Sequence, residues 1–419
     1  MQSQKAFIAN SAPLLLLLFI DGMGLGLVIP ILNAVLIDPN TQQFAITSIA
    51  MQNFLYGLAM GIFMLGWFFG AAILGDLSDR IGRKKALMIC LGGAVVSYFV
   101  AAIAVTISSI VLLIVARTVA GLTAGSQAIA QAAVIDLSTE ETKARNIGLI
   151  LCAISFGFIA GPILGAVLSN SDWVSWFSFS TPLYFASLIS LLNLILLLTL
   201  FHDATTVLKE KTAIKLHYAF EVFASAFKNL KVRHLSVVFF IFILGWSCFY
   251  SFVSMFLMKT HHFSTNEVSM FLALLAVGFG IGNGFLVNFF SKRYALNKIF
   301  TLTTLLSGLM VLAIVLIPSN LAGWFLAVPL CCCISVAYAV LLTLFSDQVD
   351  AESQGWVMGI TGSIMALVWA VESVVVGLLA TLDHELPMYI SAIGLFLTVI
   401  AGWLFIKTKS TIEVENSIV

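Results

Sequence analysis

Long apolar blocks separated by short polar stretches make up nearly all of this chain. A helix needs about 20 mostly apolar residues to cross a hydrocarbon core roughly 30 Å thick. Blocks of that kind run over 13–36, 48–74, 86–106, 109–135, 146–168, 181–201, 235–258, 268–290, 299–317, 321–346, 356–380 and 387–406. Lipid offers backbone N–H and C=O groups no partner, so spanning segments are helices or closed barrels, and blocks this long and continuous predict helices. The expected fold is all-α and integral to a membrane, with twelve transmembrane helices. The first block follows Lys5 but is too long for a signal peptide and lacks a small-residue cleavage site, so it is read as a retained first helix.

The longest polar stretch, 202–234, carries Lys209, Lys211, Lys215, Lys228, Lys231 and Arg233 and divides the spans six and six. The expected organisation is a six-helix half over 1–201, a cytoplasmic linker over 202–234 with a surface-lying amphipathic helix, and a second six-helix half over 235–419. Internal echoes support two related halves. Asp136, Arg145 and Gly148 after span four are matched by Asp347 and Gly355 after span ten, and Leu77-Ser78-Asp79-Arg80 has a worn counterpart in Phe290-Ser291-Lys292-Arg293. Paired halves are the usual build of a rocking transporter, with its substrate site at the repeat interface near the midplane.

Composition agrees with the pattern: of 419 residues, 61% are hydrophobic and 10% charged, more apolar than a water-soluble fold can hide. The 20 basic and 20 acidic residues cancel, which argues against a nucleic-acid partner. Their placement carries the information. With both termini cytoplasmic, every Lys and Arg except Lys259 and Arg117 falls in a cytoplasmic segment, including Lys407 and Lys409 in the tail, as the positive-inside bias requires. The location expected is the cell inner (plasma) membrane, multi-pass. All six cysteines lie in apolar stretches, where packing is the simplest role.

Between spans two and three lies Gly75-Asp76-Leu77-Ser78-Asp79-Arg80-Ile81-Gly82-Arg83-Lys84-Lys85, read as a short loop in which Gly75 permits close helix approach and Gly82 a tight turn. It resembles the GxLaDrxGrkxxl signature of the major facilitator superfamily. The resemblance implies a cytoplasmic latch of charges formed by Gly75, Asp76, Asp79, Arg80, Gly82 and Arg83 with Asp136, Arg145 and the start of span eleven near Gly355. Arg117, Gly121 and Gly125 in span four resemble the family's RxxxGxxxG element. Gly157, Gly161, Pro162 and Gly165 in span five resemble the GxxxGPxxG element of its antiporters; small residues at this spacing let helices pack closely, and Pro162 can bend the span. Asp21 before the glycine-rich Gly22–Pro30 stretch looks like the first helix of the tetracycline/proton antiporters and related drug/proton antiporters.

An aspartate and an arginine inside apolar spans are costly, about 2.5–3.5 kcal/mol each on insertion scales. Asp21 is therefore expected either to couple protons, with Arg117 as charge-assisted partner, or to form a structural ion pair with it. Glu372 in span eleven sits where relatives commonly have a small residue; it reads as a second proton site, an anchor for a cationic or polar substrate group, or a carboxyl hydrogen-bonded in the bundle. Gln52, Asn53, Tyr56, Gln127, Gln131, Trp246, Tyr250, Asn283, Tyr338 and Trp369 are cavity candidates, since pockets for amphipathic organic molecules combine apolar walls with few polar groups. Each is as readily interhelical packing.

The loops offer no nucleophile–base or metal-ligand constellation of an enzyme, and no GxxxxGK[ST] phosphate loop. Gly278, Gly280, Gly282 and Gly284 lie inside an apolar span and read as close-packing positions. His261-His262 is too small a set for a metal site. The expected partners are a small-molecule substrate, protons and the lipid bilayer, with no cofactor and a monomeric chain. The reading is a secondary transporter exporting an amphipathic compound by proton antiport. An importer of a small metabolite or a metal chelate such as a siderophore, and a channel or sensor of the same fold, stay open.

Overall fold

The computed structural model describes residues 2–38, 41, 43–138, 140–203, 218–350 and 354–406. The side chains of Lys5 and Arg145, the surroundings of Gly355, and Lys209, Lys211, Lys215, Lys407 and Lys409 lie outside that description. The helices are α1 (Gln2–Leu36), α2 (Ile49–Ile81), α3 (Arg83–Thr106), α4 (Ile110–Thr123), α5 (Ser126–Asp136), α6 (Glu140–Ser169), α7 (Thr181–Leu200), α8 (Tyr218–Lys228), α9 (Arg233–Thr260), α10 (Thr265–Ile281), α11 (Val287–Ser291), α12 (Leu296–Leu316), α13 (Asn320–Ser346), α14 (Gln354–Leu379) and α15 (Leu386–Phe405). A π-helical turn, Gly282–Leu286, joins α10 to α11. Among the described residues there is no strand, and 12 spans are long and apolar enough to cross a membrane.

Contacts divide the chain into two compact units: α1–α7 form the first, α8, α9 and α11–α15 the second, and α10 is shared out at Ala273. In the first unit α1 packs along α6, α2 along α4, and α3 along α4 and α7. In the second, α9 packs on α15 and α14, and α12 on α13 and α15.

Missing Cβ atoms explain the tightest of these seams. On α6 a Cβ at Gly157 would meet the Phe19 carbonyl and one at Gly161 the Met23 carbonyl. On α1 a Cβ at Gly22 would come within 2.6 Å of the Ile154 carbonyl, and one at Gly26 within 2.6 Å of Pro162 Cδ. The antiporter-like element of span five is thus one side of a reciprocal glycine seam. Gly161→Leu is expected to destabilise the first unit by about 1–3 kcal/mol, the cost of overpacking a filled core. Thermal unfolding of the purified protein checks this; an unchanged midpoint would mean the seam has slack.

Four expectations require correction. α2 does not stop near residue 74 but continues to Ile81, so Gly75–Arg80 is helical and the connection shrinks to Gly82, whose φ of +93° only glycine adopts without strain. Gly75 has nothing within 4 Å of where a Cβ would stand, so close approach is not its role. Span four is broken at Ala124–Gly125, where α4 ends and α5 begins; the apolar pattern runs on unbroken and hides the break. Gly278 and Gly282 do pack against α13, but Gly280 and Gly284 face open space beside the π turn. Of the cysteines, Cys152 is exposed.

Candidate functional site

The break in span four brings the first unit's site together. α5 starts at Ser126, whose hydroxyl donates to Asp21 Oδ2 at 2.7 Å. Asp21 and Ser126 line a cavity of about 80 Å³ with Gly24, Phe63, Trp67, Cys90, Ser97, Tyr98, Arg117 and Gln127. That volume holds several waters, at roughly 10–15 Å³ for one. A carboxylate and an arginine therefore share one wettable chamber inside a helical unit.

They do not pair directly. Arg117, 6% exposed, donates from Nε to the Ala59 carbonyl at 3.0 Å and lies over the Phe63 ring, 4.3 Å from its centroid. A desolvated cation–π contact is worth about 2 kcal/mol and a charged hydrogen bond about 1.5–3 kcal/mol. Together these are enough to offset the about 2.5–3.5 kcal/mol cost of a mid-membrane arginine. The direct Asp21–Arg117 bond expected from the sequence is therefore replaced by separate partners, Ser126 for the acid and α2 for the cation.

Tyr98 on α3 lines the same chamber. A Cβ at Gly24, one turn beyond Asp21, would fall on its hydroxyl, and the ring is within electrostatic reach of both Asp21 and Arg117. A second cavity of about 20 Å³ shares Ser97, Tyr98, Arg117 and Ala120 with the first and extends to Val105 and Leu113 near the α3–α4 turn. Ser97, Tyr98, Arg117 and Ala120 border both chambers. Sequence reasoning passed over Tyr98 and Ser126, because a lone tyrosine or serine in a span looks like packing.

The other cavity candidates scatter. Gln127 lines the larger chamber, and Gln131 is half-buried on α5. Gln52 instead donates to the Ile46 carbonyl at the entry to α2. Asn53 is fully buried with both amide atoms unpartnered, and Tyr56 OH accepts from Asn33. In the second unit, Trp246, Tyr250 and Trp369 form an aromatic chain with centroids 5.4 and 5.7 Å apart. Asn283 lies in the π turn, Tyr338 packs against Phe239, and Glu372 is buried between α9 and α14.

Gly82 anchors a separate charged cluster. Arg83, the first residue of α3, reaches Asp79 Oδ1 at 2.8 Å and Ser78 Oγ at 2.6 Å on α2, and Asp136 Oδ2 at 3.4 Å on α5. A guanidinium beside the C-terminal ends of α2 and α5 also suits their dipoles. Arg80 pairs with Asp76. Lys84 caps the last carbonyls of α7, Leu198 at 2.9 Å and Phe201 at 2.6 Å, while Asp203 accepts from the Lys84 backbone N–H at 3.2 Å. Asp203, which the sequence did not single out, thus ties the α2–α3 corner to the end of α7.

The Major Facilitator Superfamily profile matches residues 14–373 and 235–417. The chain belongs to the Major Facilitator Superfamily. It is 27% identical over 353 residues to the tetracycline resistance protein, class C, of Escherichia coli, covering 83% of this chain and 84% of that protein. It is 26% identical over 390 residues to the quinolone resistance protein NorA of Staphylococcus aureus, covering 91% and 92%. The crystal structure of the human organic anion transporter MFSD10 (TETRAN) shares the fold, with a TM-score of 0.69 at 19% identity over 94% of this chain and 99% of that one. As a member of this superfamily the chain is a multi-pass membrane transporter of small molecules and not an enzyme.

In this major facilitator protein the Arg83 cluster is partly open to solvent, so its ion pairs contribute only about 0–1 kcal/mol each to stability. Asp79→Asn is expected to leave insertion and melting nearly unchanged while lowering transport about tenfold, the factor by which ~1.4 kcal/mol of lost bias shifts two conformational populations. Wild-type initial rates from Asp79→Asn protein in liposomes would refute a latch role.

Proposed function

We propose that this transporter is a proton antiporter that exports a small amphipathic organic compound across the cell inner (plasma) membrane, with both termini and the Gly82 corner cytoplasmic. The observation that carries the reading is Asp21: a membrane-embedded carboxylate on the wall of a wettable chamber, held by one hydroxyl rather than by the nearby arginine. A carboxylate locked in a close ion pair would have little reason to take up a proton; one held by a serine can bind and release it as access changes. Arg117 lines the same chamber, and Tyr98 borders both cavities.

The likeness to a tetracycline and a quinolone resistance protein supports export of drug-like compounds and suggests the first compounds to try. The basic residues at 76–85, 136–145 and 202–234 support the orientation. The test is uptake of tetracycline and of a quinolone into liposomes containing the purified protein under an imposed pH gradient. Accumulation against the substrate gradient that collapses when the pH gradient is dissipated is the expected result. Equal flux with and without the gradient would instead indicate a channel or a uniporter.

A further inference from the structure

The seam between α9 and α14 in the second unit holds a carboxylate with nothing to neutralise it. Glu372 is 2% exposed, and neither of its oxygens has a partner at short hydrogen-bond distance. Four polar groups nevertheless surround it at interaction distance: Ser247, Cys248 and Ser251 on α9 and Ser373 beside it on α14. The hydroxyl hydrogens explain the missing bonds. Ser247 donates to the Leu244 carbonyl at 3.2 Å and Ser373 to the Trp369 carbonyl at 2.7 Å. What these two hydroxyls can offer the carboxylate is lone pairs.

Ser251 and Cys248 can donate to the carboxylate, but a hydroxyl and a thiol carry no positive charge, and a buried carboxylate flanked by the lone pairs of Ser247 and Ser373 calls for an electropositive guest. Among the described residues of α9, α13, α14 and α15, no side chain supplies it. The basic residues of α9 are Arg233, His234 and Lys259 at its ends, and α13, α14 and α15 contain none. The other titratable groups on α9, α13 and α15 are Cys248 and Tyr250, Cys331, Cys332, Cys333 and Tyr338, and Tyr389, none of them cationic, while α8, with Glu221 and Lys228, touches α14 at Gly359, more than three turns from Glu372. An uncompensated charge in such a place is among the most costly features a fold can carry.

We propose that Glu372, Ser247, Ser251 and Ser373 form a binding site for a small monovalent metal cation, with Na⁺ as the fitting ion. Carboxylate and hydroxyl oxygens are hard ligands suited to a hard cation, and a single carboxylate balances a single charge. The site lies in the second unit and is independent of Asp21, so it stands or falls separately from the proton exchange proposed above. An ion that bridges α9 and α14 stabilises whichever conformation brings those oxygens together, and so acts on the alternation of the transporter.

The experiment is thermal unfolding of the full-length purified protein at alkaline pH, where protons compete least, in NaCl against KCl and choline chloride at equal ionic strength. Saturating Na⁺ is expected to raise the midpoint by about 2–4 °C over K⁺ or choline. Glu372→Gln should abolish that difference, Ser247→Ala and Ser373→Ala should each raise the half-saturating Na⁺ concentration about tenfold, and Asp21→Asn should leave it intact. Should Glu372→Gln fail to fold, the two serine variants decide the question alone. Equal midpoints in Na⁺ and K⁺ for the wild type would overturn the proposal, as would an undiminished Na⁺ shift in the variants. A midpoint that responds through Glu372 to pH but not to Na⁺ would overturn it too, leaving a protonated carboxyl.

Discussion

Asp21→Asn protein in liposomes is expected to accumulate no substrate under a pH gradient, while it still binds substrate and catalyses downhill counterflow. One pH unit is worth 1.36 kcal/mol, so one-for-one exchange can concentrate a neutral substrate about tenfold across a gradient of that size. The variant should reach a ratio of about one. Asparagine resembles the protonated acid in shape, and its side-chain oxygen can still accept from Ser126 Oγ, now 2.7 Å from Asp21. The chamber should therefore survive while the ionised state does not. A folding defect would appear in the unfolding midpoint and in counterflow together, whereas loss of coupling appears only in gradient-driven accumulation. Undiminished accumulation would move the proton site elsewhere in the chain.

Arg117→Ala should do wider damage, lowering both the unfolding midpoint and every mode of transport. The guanidinium packs on Phe63 and donates to the Ala59 carbonyl where α2 and α4 are in closest contact, the seam at which Gly121 meets Gly66 and Phe63. Truncation removes about 2 kcal/mol of cation–π attraction and leaves a void at a close helix crossing. It also strips the chamber of the positive charge that shares it with Asp21. Arg117→Met separates the two effects, because it keeps much of the stem volume and loses only the charge. The expected result is a midpoint nearer to wild type than that of Arg117→Ala, with accumulation still lost. If Arg117→Met transports normally, the arginine serves packing alone.

Much of the architecture was legible from periodicity, and the reason is physical: lipid imposes one length and one secondary structure on every span, so apolar blocks translate directly into helices. The structural spans end within a few residues of the apolar blocks except where charge misleads. Asp76, Asp79 and Arg80 look like loop residues, yet they sit on the last turns of α2, because a helix can project beyond the apolar layer and satisfy its charges there through Arg83 and Asp136. The glycine pattern of span five was legible as close packing, but its partner was not. That the carbonyls of α1 fill the space over Gly157 and Gly161 depends on tertiary pairing, which local sequence does not encode.

The site was legible in its charged members and opaque in its neutral ones. Asp21 and Arg117 stand out because charge is rare in an apolar span, and both do line one chamber. Their relation was misjudged because sequence cannot weigh a ring and a carbonyl on α2 against a carboxylate on α1. Ser126 and Tyr98 carry no such signal. Ser126 meets Asp21 only because the helix breaks at Ala124–Gly125, and Tyr98 fits against α1 only because residue 24 lacks a side chain.

Proton movement itself is the most direct test of the central claim. Purified wild-type protein is placed in liposomes with an acidic lumen and a pH-sensitive dye inside, in a potassium-clamped membrane, and tetracycline or a quinolone is added outside. The account predicts that addition of a transported substrate alkalinises the lumen as protons leave in exchange for it, and that Asp21→Asn protein admits substrate without any change in the dye signal. Substrate entry into wild-type liposomes with no accompanying alkalinisation would contradict proton antiport.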